Sequence, residues 1–358
     1  MKRRIVLIAL ALCALSGAGF AAAQESLPAR AELAEGWNWL APGGETACSD
    51  GSPYRFVARE GPGEDLLIYF EGGGACWSPL TCGLVRPFTP AIETERLETA
   101  AGGIFDLDNP ANPFAGYDIA LVPYCTADVF MGDAVQDYGS GSRAVTIHHK
   151  GFANASAALE WVYANFPAPE SVFITGESAG ALGASFHAPW IIRQYAGTRI
   201  AVLGDSAGGY SAPGIDMGMI FGPWGTADLL PDWLPEFAAV DEASDLKFES
   251  FYIVAAKNYP EIVFAQYNTL RDSVQQFFMK LVPNTPPLEA VLPGTMAAIA
   301  EAAPNFRSYL ADGDVHTILH LPEFYTATTA GVAVRDWVAA LAAGEPVENV
   351  ACEACVAP

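Results

Sequence analysis

Two serines in this chain sit in the pattern Gly-x-Ser-x-Gly: Gly176-Glu-Ser178-Ala-Gly180 and Gly204-Asp-Ser206-Ala-Gly208. A serine on a sharp turn between glycines is the kind of nucleophile that acyl transfer uses, because the turn lifts Oγ clear of the backbone. Ser178 follows the short apolar run Val172–Ile174 and precedes small residues at helical spacing, so it lies between a strand and a helix. The helix N-terminus brings partial positive charge to a developing oxyanion. Ser206 also follows an apolar run, Ile200–Leu203, but Gly209-Tyr-Ser-Ala-Pro213-Gly214 cannot open a helix behind it. The 28 residues from one serine to the other suit one strand, a crossover helix and the next strand. Ser178 is therefore read as the nucleophile, and Ser206 as a loop residue at the next strand's end.

A serine nucleophile needs a base to take its proton and a buried acid to orient that base. With the chain order Ser, acid, His, His148 and His149 fall too early, and His187 lies on the helix after Ser178. His316 lies in the loop after the last strand, Ser308–Ala311, and is the candidate base; His320 is read as structural. Asp272, just past the strand Ile262–Tyr267, is the candidate acid. Asp314 is its rival, although two residues from His316 it is badly placed to reach Nδ1, and Asp205 is a weaker third choice.

Upstream, the strand Leu66–Phe70 runs into Glu71-Gly-Gly-Gly74. Three successive glycines carry a large entropy cost unless the chain needs close approach or exposed amides. They nominate the N–H groups of Gly73 and Gly74, with that of Ala179, as an oxyanion hole. Residues 206–250 interrupt the strand–helix rhythm with Pro, Trp and acidic residues, and read as a lid or pocket insertion. Phe221, Trp224 and Trp233 there, with Trp77 beyond the glycine loop, are candidate pocket residues.

The elements that must carry these groups alternate: the strand Ile119–Pro123, the helix Asn154–Phe166, the nucleophile strand, and a final helix Val332–Ala342. Alternation of this kind predicts an α/β fold with a mostly parallel sheet and helices on both faces. At the N-terminus, Lys2-Arg3-Arg4, the apolar Ile5–Leu15 and Ala21-Ala-Ala23 form a secretory signal peptide over residues 1–23. About 335 residues follow, read as one domain over 24–358 whose residues 343–358 form a tail. Without the three leader cations, 15 basic face 41 acidic residues, a charge of −26. Such a surface repels nucleic acid and anionic membranes. The six cysteines after the leader, an even number in an exported chain, favour disulfides. Cys352-Glu-Ala-Cys355 has zinc-ligand spacing, but no second pair with a nearby histidine completes four ligands, so no metal is expected.

Taken together, Glu71-Gly-Gly-Gly-Ala-Cys-Trp77, Asn112-Pro-Phe114, Pro123-Tyr-Cys-Thr-Ala-Asp-Val129, Gly132-Asp133, Gly176–Gly180, Asp205-Ser206, Asp272-x-x-Gln275 and His316-Thr-Ile resemble the pectinacetylesterase/Notum family of carboxylesterases, from Trp37 to about Trp337. The resemblance implies an α/β-hydrolase-like fold, a triad of Ser178, Asp272 and His316, and an oxyanion hole at Gly73, Gly74 and Ala179. It also implies disulfides Cys48–Cys125 and Cys76–Cys82, leaving Cys352–Cys355 as a terminal pair. The chain departs from the pattern at Asn268, where some relatives already carry the aspartate. No cofactor is implied. The expected activity is hydrolysis of O-acyl esters, acetyl or another short acyl group, on a saccharide or small alcohol. The family also contains fatty-acyl deacylases, and a binding protein on a hydrolase scaffold is the alternative outside enzymes. The intact set of Ser, Asp, His and glycines disfavours that alternative. No basic cluster in the insertion would hold polygalacturonate, which favours a neutral ester.

Overall fold

The computed structural model describes residues 27–92, 102–210, 215–282 and 285–352. The proposed leader and Cys355 lie outside them. Ten strands are needed to follow the site: β1 (Asn38–Leu40), β2 (Phe56–Arg59), β3 (Leu66–Phe70), β4 (Asp118–Val122), β5 (Ala134–Tyr138), β6 (Val145–His149), β7 (Ser171–Glu177), β8 (Arg199–Asp205), β9 (Val263–Thr269) and β10 (Phe306–Ala311).

The main sheet runs β1-β2-β4-β3-β7-β8-β9-β10 and ends on the two-residue strand Val350–Ala351. From β4 through β10 every pairing is parallel; β1 and β2 are added antiparallel at one edge. A separate hairpin pairs β5 with β6. Residues 343–358 are therefore not a plain tail, because Val350 and Ala351 pair with Tyr309 and Leu310. This pairing covers the open edge of β10.

Strands β3, β4 and β7 are buried at every residue. They read as continuous apolar runs rather than alternating ones because both faces of the sheet are covered. The helices Gly151–Asn165, Ala179–Gln194, Phe248–Asn258 and Leu288–Ala302 contribute buried residues to one face. Val334, Trp337, Val338 and Leu341 of the helix Val334–Ala343 pack on the other. Among the described residues, no helix is long and apolar enough to cross a membrane.

The topology fixes where chemistry can occur. The chain leaves β3 toward β4 on one side and returns to β7 on the other, so strand order reverses between β3 and β7. In open parallel sheets the crevice beyond the strand C-termini at such a reversal is the usual ligand site. Register brings the ends level there: Phe70 lies opposite Gly176, Glu177 opposite Asp205, and Asp205 opposite Tyr267.

Candidate active site

Ser178 stands at the end of β7 with φ +51° and ψ −119°, a strained backbone for a residue with a Cβ. Its turn works because a neighbour is glycine: a Cβ on Gly180 would meet the Phe70 carbonyl oxygen at 2.0 Å. The Ser178 amide donates to the carbonyl of Asp205 at 2.7 Å, which ties the turn to the end of β8.

After β3 the chain turns sharply at Gly74, φ +79°, where a Cβ would strike the Pro87 carbonyl at 1.9 Å. The Gly73 carbonyl accepts the Thr89 amide, and Ala75 N–H donates to Pro87. Among the described residues, the amides of Gly73, Gly74 and Ala179 have no acceptor. Amides left without acceptors beside a nucleophile are the arrangement that binds an oxyanion.

Asp272 caps the helix Ser273–Lys280. Its Oδ1 accepts the amides of Val274 and Gln275 at 2.9 Å each, and Oδ2 accepts Gln275 Nε2 at 3.0 Å. The same Oδ2 meets His316 Nδ1 at 2.7 Å. The carboxylate is fully buried while the imidazole is partly exposed. Asn268, where the family pattern fails, supports this group: its Oδ1 accepts Gln275 Nε2 at 3.2 Å and the Gly208 amide at 3.0 Å. His316 and Ser178 line one groove. Asp314 is exposed on the same loop.

The second Gly-x-Ser-x-Gly segment has another use. Asp205 and Ser206 are fully buried. Ser206 Oγ donates to Asp205 Oδ1 at 3.0 Å and accepts the Thr317 amide at 2.9 Å. Asp205 Oδ2 accepts the amides of Ile318 and Leu319 at 2.7 and 2.8 Å. Burial pushes the Asp205 carboxyl up to about 6, against the pull of the Leu319 and Ile318 amides. This pair holds the loop that carries His316.

Residues 41–213 match the family model described as Pectinacetylesterase. Two curated Xenopus laevis proteins are similar. Palmitoleoyl-protein carboxylesterase notum1' is 29% identical over 99 residues, 26% of this chain and 20% of that protein. Palmitoleoyl-protein carboxylesterase notum2 is 28% identical over 143 residues, 38% of this chain and 28% of that protein. The matches thus span under a third of these relatives' length. Two crystal forms of the Wnt deacylase Notum from Drosophila share the fold at 16% identity, with TM-scores of 0.59 and 0.60 over 86% and 87% of this chain and 93% and 95% of theirs.

Residues 41–213 carry the pectinacetylesterase domain, and the fold around it is the one seen in Notum.

Within this pectinacetylesterase/Notum fold, two recesses meet at Ser178. One is lined almost wholly by apolar side chains, including Trp77, Val129, Leu182, Trp224, Phe248 and Met279. The insertion at 206–250 supplies several of them, so it forms a pocket wall as well as the start of the next helix. The second is an open groove lined by Gly72, Gly73, Thr89, Glu177, His316 and His320 among others. Gly74, Ser178 and Phe278 border both.

Two pocket expectations fail. Phe221 is fully buried behind the pocket, packed on Trp224, Phe248 and Phe251. Trp233 lies at a different surface, under Arg193 at 4.6 Å and against Trp190. Its amphipathic ring satisfies its N–H on Tyr259 OH there. Trp77 and Trp224 do line the pocket, and the Trp224 N–H is anchored on the Cys76 carbonyl at 2.8 Å. His320, read as structural, pairs through Nδ1 with the Glu177 carboxylate at the groove.

Disulfides join Cys48 to Cys125 and Cys76 to Cys82, the two pairs that the resemblance implied. Cys352 is disulfide-bonded too; Cys355, its expected partner, lies outside the described residues. Cys76, Cys82 and His149 have ligand atoms within 4.8 Å of one another. Here the sulfurs are bonded together, and the His149 nitrogens meet Tyr138 OH and the Thr126 carbonyl.

Proposed function

We propose that this chain is an exported serine carboxylesterase in which Ser178 attacks an ester carbonyl, with His316 as general base and Asp272 as its orienting acid. One observation carries the reading: a buried carboxylate holds His316 Nδ1 at 2.7 Å in the same groove as a serine on a strained strand-to-helix turn. With Nδ1–H committed to Asp272, the neutral ring carries its lone pair on Nε2, the form that accepts a serine proton. The amides of Gly73, Gly74 and Ala179 stabilise the tetrahedral oxyanion. His316 then gives its proton to the leaving alcohol, and water repeats the sequence on the acyl-enzyme. Export is supported by the leader-like N-terminus and by bonded cysteines, which persist in oxidising compartments.

The acyl group sits in the apolar pocket. Its lining favours an aliphatic chain longer than the acetyl group suggested by the sequence, and the similar proteins named palmitoleoyl-protein carboxylesterases point the same way. Each buried methylene contributes about 0.8 kcal/mol, or about fourfold in kcat/KM. A p-nitrophenyl ester series from acetate to palmitate should therefore rise steeply from acetate and level off once the pocket is full. A maximum at acetate would restore the short-acyl reading. No turnover along the whole series would favour a non-catalytic binding protein.

A further inference from the structure

In the turn that follows Thr126, Ala127, Val129 and Phe130 all hold positive φ, at +61°, +50° and +65°. That region suits glycine, and a β-branched side chain in it is an outlier. Such strain persists only where the surroundings over-determine the backbone, and it clusters at ligand sites. Here the surroundings are explicit. Asp128 is fully buried, and its Oδ1 accepts Thr126 Oγ1 at 2.6 Å and the Phe130 amide at 3.1 Å. Its Oδ2 accepts the Gly151 amide at 2.7 Å, while the Val129 amide donates to Tyr124 OH at 2.8 Å.

The turn is also sewn to the glycine loop. The Cys76 amide donates to the Ala127 carbonyl at 2.9 Å, and Ala75 pairs antiparallel with Asp128. Val129 follows that pair on one segment as Gly74 precedes it on the other, and both line the apolar recess. Gly74 also borders the groove, as Ser178 does, so Val129 stands at the end of the recess nearest the reacting carbonyl.

Packing explains why two of the three strained positions carry side chains. Ala127 sits in a small core with Cys76 and Cys82. The Phe130 ring packs on Phe70 and Tyr124, with centroids 5.2 and 4.9 Å away. Glycine could take the Val129 conformation without strain, yet a valine stands there with its side chain on the recess wall. Branching at Cβ makes that wall stiff, since χ1 has little freedom. On the esterase reading given above, this end of the recess receives the first carbons of the acyl chain. We propose that Val129 is a specificity-determining residue whose methyl groups meet the acyl carbon next to the carbonyl. The enzyme then takes straight acyl chains and rejects those branched at that carbon.

The test compares p-nitrophenyl propanoate with p-nitrophenyl 2-methylpropanoate, which share a leaving group and differ by one methyl. Alkaline hydrolysis of the two esters gives their intrinsic ratio. The wild-type protein should favour the straight ester beyond that ratio by about 10- to 200-fold in kcat/KM, the worth of one methyl group against a filled pocket. Val129→Gly, which takes the positive φ without strain, should bring the ratio back near the alkaline value. A ratio taken within one enzyme cancels any general loss of activity. Val129→Ala, a smaller cut, should fall between the two, and it decides the matter if the glycine variant does not fold. A wild-type ratio at the alkaline value, or a preference that survives in the folded variants, overturns the proposal while the esterase reading stands. Failure to hydrolyse either ester, or any longer straight-chain p-nitrophenyl ester, would instead overturn the esterase reading on which the proposal rests.

Discussion

The main-chain carbonyl of Asp205 accepts the amide of Ser178 at 2.7 Å. One residue thus touches both sides of the reaction, since its carboxylate accepts the Ile318 and Leu319 amides of the loop bearing His316. Asp205→Ala leaves both amides buried without an acceptor. It should lower kcat by about 10²-fold with a small change in KM, because a displaced base costs rate rather than binding. Ser206→Ala removes the acceptor for Thr317 N–H and the donor to Asp205 Oδ1, a loss of about 1–3 kcal/mol of stability, and should stay folded and active. Steady-state kinetics with thermal melts check both. An Asp205→Ala enzyme with wild-type kcat would show that the loop needs no such clamp.

Asp272→Asn should keep the helix cap, since an amide oxygen still accepts the Val274 and Gln275 amides. It can select the wrong imidazole tautomer, however, and kcat should fall by about 10³–10⁴-fold. Asp314→Asn, on an exposed position, should not reproduce this loss. If it does, the acid is Asp314.

Far more of the fold than of the site's support was legible in the sequence. Buried runs such as Leu66–Phe70 announce themselves, being apolar throughout and closed by glycines. Asp272 was nominated by its place just past the strand Ile262–Tyr267, and the cap it forms on the next helix comes from the structure. The clamp was not legible. Its partners lie 111 to 114 residues away and are backbone amides, which every residue has. The pairing of His320 with Glu177 was hidden for a related reason, since Glu177 belongs to another strand end. Phe221 and Trp233 were misplaced because aromatic composition predicts burial without saying which cavity receives the ring.

The two disulfides should separate stability from activity. Cys48–Cys125 spans 77 residues and Cys76–Cys82 spans 6. On chain entropy, loss of the long loop costs about 4 kcal/mol and loss of the short one about 2. The double substitution Cys48→Ala/Cys125→Ala should therefore lower Tm further. Cys76→Ala/Cys82→Ala should cost more activity, since this loop positions Trp77 in the pocket and the Cys76 carbonyl that anchors Trp224. The reverse ranking in either assay would contradict this division.

Stability should fall in acid partly through His187. Burial pushes its imidazole down to about 4, against the pull of the Phe130 carbonyl on Nε2. The ring stacks on Phe70 and Phe152. Between about 6.5 and 4 the unfolded chain takes up the proton and the folded one does not, so this site favours unfolding as pH falls through that window. His187→Gln can keep the bond to the Phe130 carbonyl without titrating. Its Tm should drop less between pH 7 and pH 4 than that of the wild type; an equal drop would place the acid sensitivity elsewhere.

The most direct measurement of the central claim is covalent. A fluorophosphonate reacts with a serine only where a base activates it and amides receive the phosphoryl oxygen. Intact-mass analysis should show one adduct per chain, mapping to the peptide that contains Ser178, absent in Ser178→Ala, slowed by orders of magnitude in His316→Ala and retained in Ser206→Ala. An adduct on Ser206, or ester turnover that persists in Ser178→Ala, would contradict the assignment.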